Sequence, residues 1–276
     1  MGIIKSVNEI VREKMNECVD VGTQQFANSI KPIYGSTEQG RPEHIGTCIL
    51  LTINAKNYLL TAAHVIDNNE YTSLYIGSES NLILIEGNFL CTSKPNGCRD
   101  NDHYDFAWLE ISETLLNKIG DASYISDENI AKKQEKTEGK LYLALGYPNS
   151  KNKKINNIAK SVKPQLFRYS STIKQSQELC NKLGISGDDH LFLQHNSKHS
   201  KDSDGITVNS IEPRGISGGA LIDMGNISKP EQYTEHVQCT GKLAGLLIEN
   251  NKEYRLMSAV KINFIIQHIM QNSNGA

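Results

Sequence analysis

From Thr47 to Val260 the chain is a succession of short apolar runs, each closed by Gly, Pro, Asn, Asp or Ser. In order they are "TCILLTI", "NYLLTAA", "SLYIG", "NLILIEGNFL", "DFAWLEI", "KLYLALGY", "QLFRYSSTI", "HLFLQH", "GITVNSI", "GALID", "GKLAGLLIE" and "YRLMSAV". Runs this short are strands rather than helices, and turn residues at this spacing mark an all-β barrel or sandwich. The polar stretch "DENIAKKQEKTEGK" at 127–140 divides them into two sets of about six and reads as a linker. Ahead of the strands, Ile3, Val7, Ile10, Val11, Met15, Cys18 and Val19 recur at helical spacing, and "KPIYGSTEQGRPEHIG" reads as a loop. Behind them, "KINFIIQHIMQ" returns to the helical period. The expected order is an amphipathic helix and loop (1–35), a first β-barrel (36–135), and a second β-barrel ending in a helix (136–276).

Composition narrows the function classes. The formal net charge is −2, so there is no electrostatic ground for a nucleic-acid partner. No stretch has the apolar length of a membrane span, and the N-terminal charges interrupt any secretion-signal core. Gly2 followed by Ser6 fits the minimal myristoylation pattern, which is short and common. The expected compartment is the cytoplasm, with Cys18, Cys48, Cys91, Cys98, Cys180 and Cys239 as free thiols. Cys91 and Cys98 bracket "TSKPNG" and could pair, or could hold zinc with His103, His195 or His199. No C-x-x-C pair supports that, and neither a metal nor a cofactor is expected.

Gly-Ile-Ser-Gly occurs twice, around Ser186 and around Ser217. Ser186 follows the helix-like "SQELCNKLG", with Gly184 at its C-cap, and reads as a turn. Ser217 has glycines on both sides and runs straight into "ALID". Acyl transfer needs a serine Oγ in the open, with backbone N–H groups converging on the carbonyl oxygen as it becomes an anion. Glycine-rich backbone permits that convergence, and "RGISGG" supplies it. A base and an orienting acid are also needed. His64 ends an apolar strand beside the small Ala62 and Ala63. Asp105 opens the apolar strand "DFAWLEI". Each alone reads as an ordinary structural residue; together with Ser217 they stand in the order His, Asp, Ser.

With those residues in view, the chain resembles the trypsin-like (chymotrypsin-fold) serine proteases, over about residues 40–270. "GTCILLTINAKNYLLTAAHVI", "YDFAWLEI", "LYLALGYP" and "PRGISGGALID" carry the likeness. The resemblance implies two packed six-stranded antiparallel barrels and a serine endopeptidase acting on a protein or peptide. Ser217 would be the nucleophile, His64 the base and Asp105 its orienting acid, with Asp102 the alternative acid. The N–H groups of Gly215 and Ser217 would form the oxyanion hole. Two rivals stand beside it. A catalytically silent protease-fold binding module would keep the fold alone. An α/β-hydrolase esterase would place its acid and histidine after the serine, which this chain does not.

The chain also departs from the digestive members. Ile216 replaces the aspartate that pairs with a new N-terminus, and no cleavable start of that kind is present, so an activating or targeting partner is expected instead. Ile211 stands where an aspartate selects basic side chains. "IEN" (Ile248, Glu249, Asn250) occupies the strand beside the pocket, and Arg255 falls at its far wall. These residues imply apolar side chains at the cleaved position first, acidic second and basic last.

Overall fold

A computed structural model describes residues 5–273 apart from 79–80, 133–135, 153–162, 199, 228–230 and 232–237. Gly2, Ile3 and His199 therefore lie outside the described residues. The chain opens with helix α1 (Val7–Phe26). Its N-terminus is closed by a capping box, in which the Ser6 hydroxyl accepts the Glu9 N–H while the Glu9 carboxylate accepts the Ser6 N–H. The first-barrel elements are β1 (Ile30–Ser36), β2 (Pro42–Ile53), β3 (Lys56–Ala62), α2 (Ala63–Asp67), β4 (Tyr75–Gly77), β5 (Leu82–Leu84), β6 (Leu90–Cys91) and β7 (Phe106–Glu110). Helix α3 (Glu113–Ile119) leads out of this set. The second barrel holds β8 (Lys140–Gly146), α4 (Asn149–Asn152), β9 (Phe167–Ser171), α5 (Gln177–Leu183) and β10 (His190–Gln194). After the small hairpin β11 (Ser200–Lys201) and β12 (Thr207–Val208) come β13 (Ala220–Asn226), β14 (Lys242–Asn251), β15 (Leu256–Lys261) and α6 (Ile262–Ser273).

The first sheet runs β5-β4-β1-β2-β3-β7-β6 and the second β10-β15-β14-β13-β8-β9, every ladder antiparallel. Seven strands therefore stand in the first set, where the resemblance implied six and five apolar runs precede the 127–140 stretch. Two differences raise the five runs to seven strands. The run "NLILIEGNFL" breaks near Gly87 and supplies both outer strands, β5 and β6. The stretch "KPIYGS", expected as loop, is β1. It pairs along β2 and is buried at Ile30, Ile33 and Tyr34. Pro32 is tolerated because the ladder to β4 covers only Ile33 and Tyr34.

Burial on both faces explains why the runs are continuously apolar. In β2, Cys48 and Leu50 point into the first barrel, while Ile49, Leu51 and Ile53 point toward the second. In β8, Tyr142 and Ala144 point into the second barrel, while Leu141, Leu143 and Leu145 meet the first. The alternation thus builds one apolar cluster within each barrel and one between them, and a smaller fourth joins Leu179 and Cys180 of α5 to Phe192 and Leu256. Truncating Leu143 to alanine in the shared cluster would cost roughly 2–5 kcal/mol. Helix α6 seals that cluster with Ile262, Ile265 and Ile269, the spacing of one helical face.

Cys18 of α1 is joined to Cys239 by a disulfide. This corrects the expectation of free thiols throughout, and removes cysteine usage as a ground for a reducing compartment. Cys48, Cys91, Cys98 and Cys180 are free, with Cys91 and Cys98 exposed. Among the described residues, no three His, Cys, Asp or Glu side chains converge as a metal site would require. No helix among them is long and apolar enough to cross a membrane.

Candidate active site

The first turn of a helix leaves N–H groups without intrahelical partners, and in α2 a single residue from β7's approach takes two of them. The Asp105 carbonyl accepts the Ala63 N–H at 3.0 Å, and Asp105 Oδ1 accepts the His64 N–H at 2.8 Å. Its second carboxylate oxygen lies 2.5 Å from His64 Nδ1. The acid therefore fixes both the backbone and the ring of His64, and makes Nδ1 the protonated nitrogen, so Nε2 carries the lone pair. Asp105 is buried, and its side chain reaches this position from a left-handed backbone, φ 44°.

That backbone is held from several sides. Asp102 accepts from Arg99 Nη1 at 2.6 Å, from the Tyr104 N–H at 3.1 Å and from the Thr92 hydroxyl. Its carboxylate is thus committed to the loop, away from His64. The Tyr104 ring stacks on Phe264, and its hydroxyl donates to Asp189. The ring of His190, at the start of β10, lies between the His103 and Ser186 carbonyl oxygens, 2.8 and 2.9 Å from its Nε2 and Nδ1. The second barrel therefore grips the segment that carries Asp105.

Ser217 lies in the turn entering β13. Gly218 there has φ 86°, and a Cβ on it would fall 1.8 Å from the Thr47 carbonyl oxygen, so no other residue fits. The first barrel pins this turn across the interface. The Thr47 N–H donates to the Ser217 carbonyl at 2.9 Å, and the Thr47 hydroxyl donates to the Gly215 carbonyl at 3.2 Å. Ser217 Oγ donates to the Ile248 carbonyl at 3.0 Å rather than to His64. Ile248 is available because it is the extra residue of a bulge, Leu247 pairing with Ala259 and Glu249 with Ser258.

His64, Gly215, Ser217, Ile248, Glu249 and Asn250 line one cleft of about 1370 Å³. On this side β14 has lost its β13 partner after Leu246, so Ile248 to Asn250 present an open strand edge. Two sequence-predicted pocket residues are placed elsewhere. Ile211 packs against the second-barrel cluster and is not among the residues that line the cleft. Arg255 lines an adjoining cavity of about 650 Å³ with His195 and Lys198, on the far side of the Glu212–Lys252 ion pair. Ser186 sits in the turn after α5, whose C-cap Gly184 is left-handed. His44 and Asn149 were not singled out from the sequence; both line the cleft.

The architecture is the chymotrypsin-like two-barrel fold. Solved structures that share it include the Vibrio cholerae protease VesB, at 14% identity over 92% of this chain and 66% of that one, TM-score 0.52. A scabies mite inactivated protease paralogue matches at 14% identity over 91% and 96%, TM-score 0.51. A thermostable serine protease, AL20, from an extremophilic microorganism matches at 16% identity over 87% and 94%, TM-score 0.48. At 14% identity the likeness to the first two defines the fold alone. No protein-family model matches the sequence, and no curated protein matches it.

Proposed function

We propose that the protein is a serine endopeptidase. The observation that carries the reading is the pairing of His64 with Asp105 in the cleft that Ser217 also lines. In the reaction, Ser217 Oγ turns from the Ile248 carbonyl, gives its proton to His64 Nε2 and attacks the scissile carbonyl. The hydrogen bond it leaves is worth about 1 kcal/mol, a small barrier to that rotation. The oxyanion is met by the N–H groups of Gly215 and Ser217. His64 then protonates the leaving amine, and a water molecule, deprotonated by His64, hydrolyses the acyl-enzyme. The substrate's backbone pairs with the open β14 edge at Ile248–Asn250. A protein partner enters this reading as the factor that directs the enzyme to its substrate.

A second reading is a binding module in which Ser217 stays on the Ile248 carbonyl, and the bond observed there favours it. Titration with a fluorophosphonate probe separates the two. The endopeptidase is labelled at Ser217 and the label is lost in Ser217→Ala but kept in Ser186→Ala; a folded wild type that takes up no label is the binding module.

A further inference from the structure

The peptide between Arg214 and Gly215 is held from outside its own turn. The Arg214 carbonyl accepts the Asn149 N–H, at the start of α4, at 2.8 Å. A trans peptide points its C=O and N–H in opposite directions, so this bond turns the Gly215 N–H away from Asn149. Gly215 sits at φ 91°, and neither its N–H nor that of Ser217 meets an acceptor among the described residues. The opposite peptide orientation would bring a carbonyl oxygen where an anion has to be bound.

Asn149 is itself held. Its Oδ1 accepts from His44 Nδ1 at 2.6 Å, and a Cβ on Gly215 would lie 1.9 Å from that same Oδ1. The amide therefore rests directly on the Gly215 Cα. His44 is buried, with its ring edge-on to Tyr34 at 5.4 Å and its Nε2 unpartnered. Ile216, next in the turn, is buried in the second-barrel cluster and brings no carboxylate.

We propose that His44 and Asn149 are positioning residues that keep the Arg214–Gly215 peptide in its anion-binding orientation through uncharged hydrogen bonds, so that this turn needs no buried ion pair. The proposal rests on the endopeptidase reading. Burial pushes the His44 pKa down to about 4, so the link is neutral in the range where a histidine base works. Asn149 couples the two barrels at this point, because its partner stands on β2 and its backbone serves the turn before β13.

The test is the hydrolysis of p-nitrophenyl acetate, an ester too small to depend on the side-chain pocket. His44→Phe keeps the ring volume and removes both the donor and the orphaned Nε2. It should hold its denaturation midpoint yet lower kcat about tenfold or more, with KM within about twofold, since losing an oxyanion donor outright costs about 10²–10³. His44→Asn returns an N–H near the place of Nδ1 but leaves a void. It should unfold earlier yet keep kcat within about threefold of wild type. Asn149→Ala should follow His44→Phe in kcat. Activity that tracks stability across the set makes the pair merely structural and overturns the proposal, as does a wild-type kcat in His44→Phe. A wild type that takes up no fluorophosphonate ends the endopeptidase reading and this proposal with it; a labelled wild type with an unimpaired His44→Phe ends this proposal alone.

Discussion

Acid should weaken this fold well above the pH at which carboxylates protonate, and His44 sets the size of the effect. Its pKa falls from 6.5 to about 4 because burial disfavours the charged ring, the Asn149 and Gly46 contacts offsetting only part of that cost. Between those values the unfolded chain binds a proton that the folded chain refuses. Stability is therefore fully present above pH 6.5, falls as the pH drops through the window, and levels off below about 4. At 1.36 kcal/mol per pH unit, the loss is roughly 3 kcal/mol, a large fraction of a typical domain's stability. Burial shifts His190 and His195 in the same direction and adds to the slope. Guanidinium unfolding at pH 7.5, 6, 5 and 4, under oxidising conditions, measures it for wild type and His44→Phe. The wild type should lose about 3 kcal/mol more than the variant over this range. Equal losses in the two proteins would refute the assignment of the effect to a buried, neutral His44.

Exchanging one carboxylate for an amide should separate the two candidate acids. Asp105→Asn should lower kcat by about 10⁴ near neutral pH through the wrong imidazole tautomer. Asp102→Asn should mainly lower the unfolding free energy, by about 1–3 kcal/mol, through its weakened bond from Arg99; the reverse pattern in steady-state kinetics and denaturation would exchange their roles. Reducing the Cys18–Cys239 bond, or Cys18→Ser, should lower stability by about 2–5 kcal/mol in guanidinium titration, because the two cysteines are 221 residues apart. Gly218→Ala should fail to reach the native fold, read by loss of near-ultraviolet dichroism, because its Cβ would meet the fixed carbonyl of Thr47.

The short, continuously apolar runs and the turn residues between them made the two-barrel class readable, because a strand buried on both faces leaves few ways to be written. The composition of "KPIYGS" concealed β1: Pro and Gly signal a turn locally, and only pairing with β2 overrides them. Bulges hid more. Ile33 pairs with Gly46 and Tyr34 with His44, so Ile45 is an extra residue that turns His44 off the regular alternation of β2. The same device exposes the Ile248 carbonyl on β14. Neither bulge has a signature in the residues around it. Ile211 lies between β12 and β13, outside any strand, so no periodicity announced its contact with the second-barrel cluster. The Cys18–Cys239 pair was beyond reach for a different reason, since six scattered cysteines allow many connectivities.

That bond also changes what a break in the backbone does. Residues 18–239 form one covalent ring, and His64, Asp105 and Ser217 all lie on it. Cutting any single peptide bond inside the ring, including those of the stretch between the barrels, opens the circle without releasing a fragment. A peptidase of this build that nicks its own copies would travel as one band until a reductant is added. Self-digestion in such a protein is hidden damage, and both halves of the cleft stay tethered after it occurs.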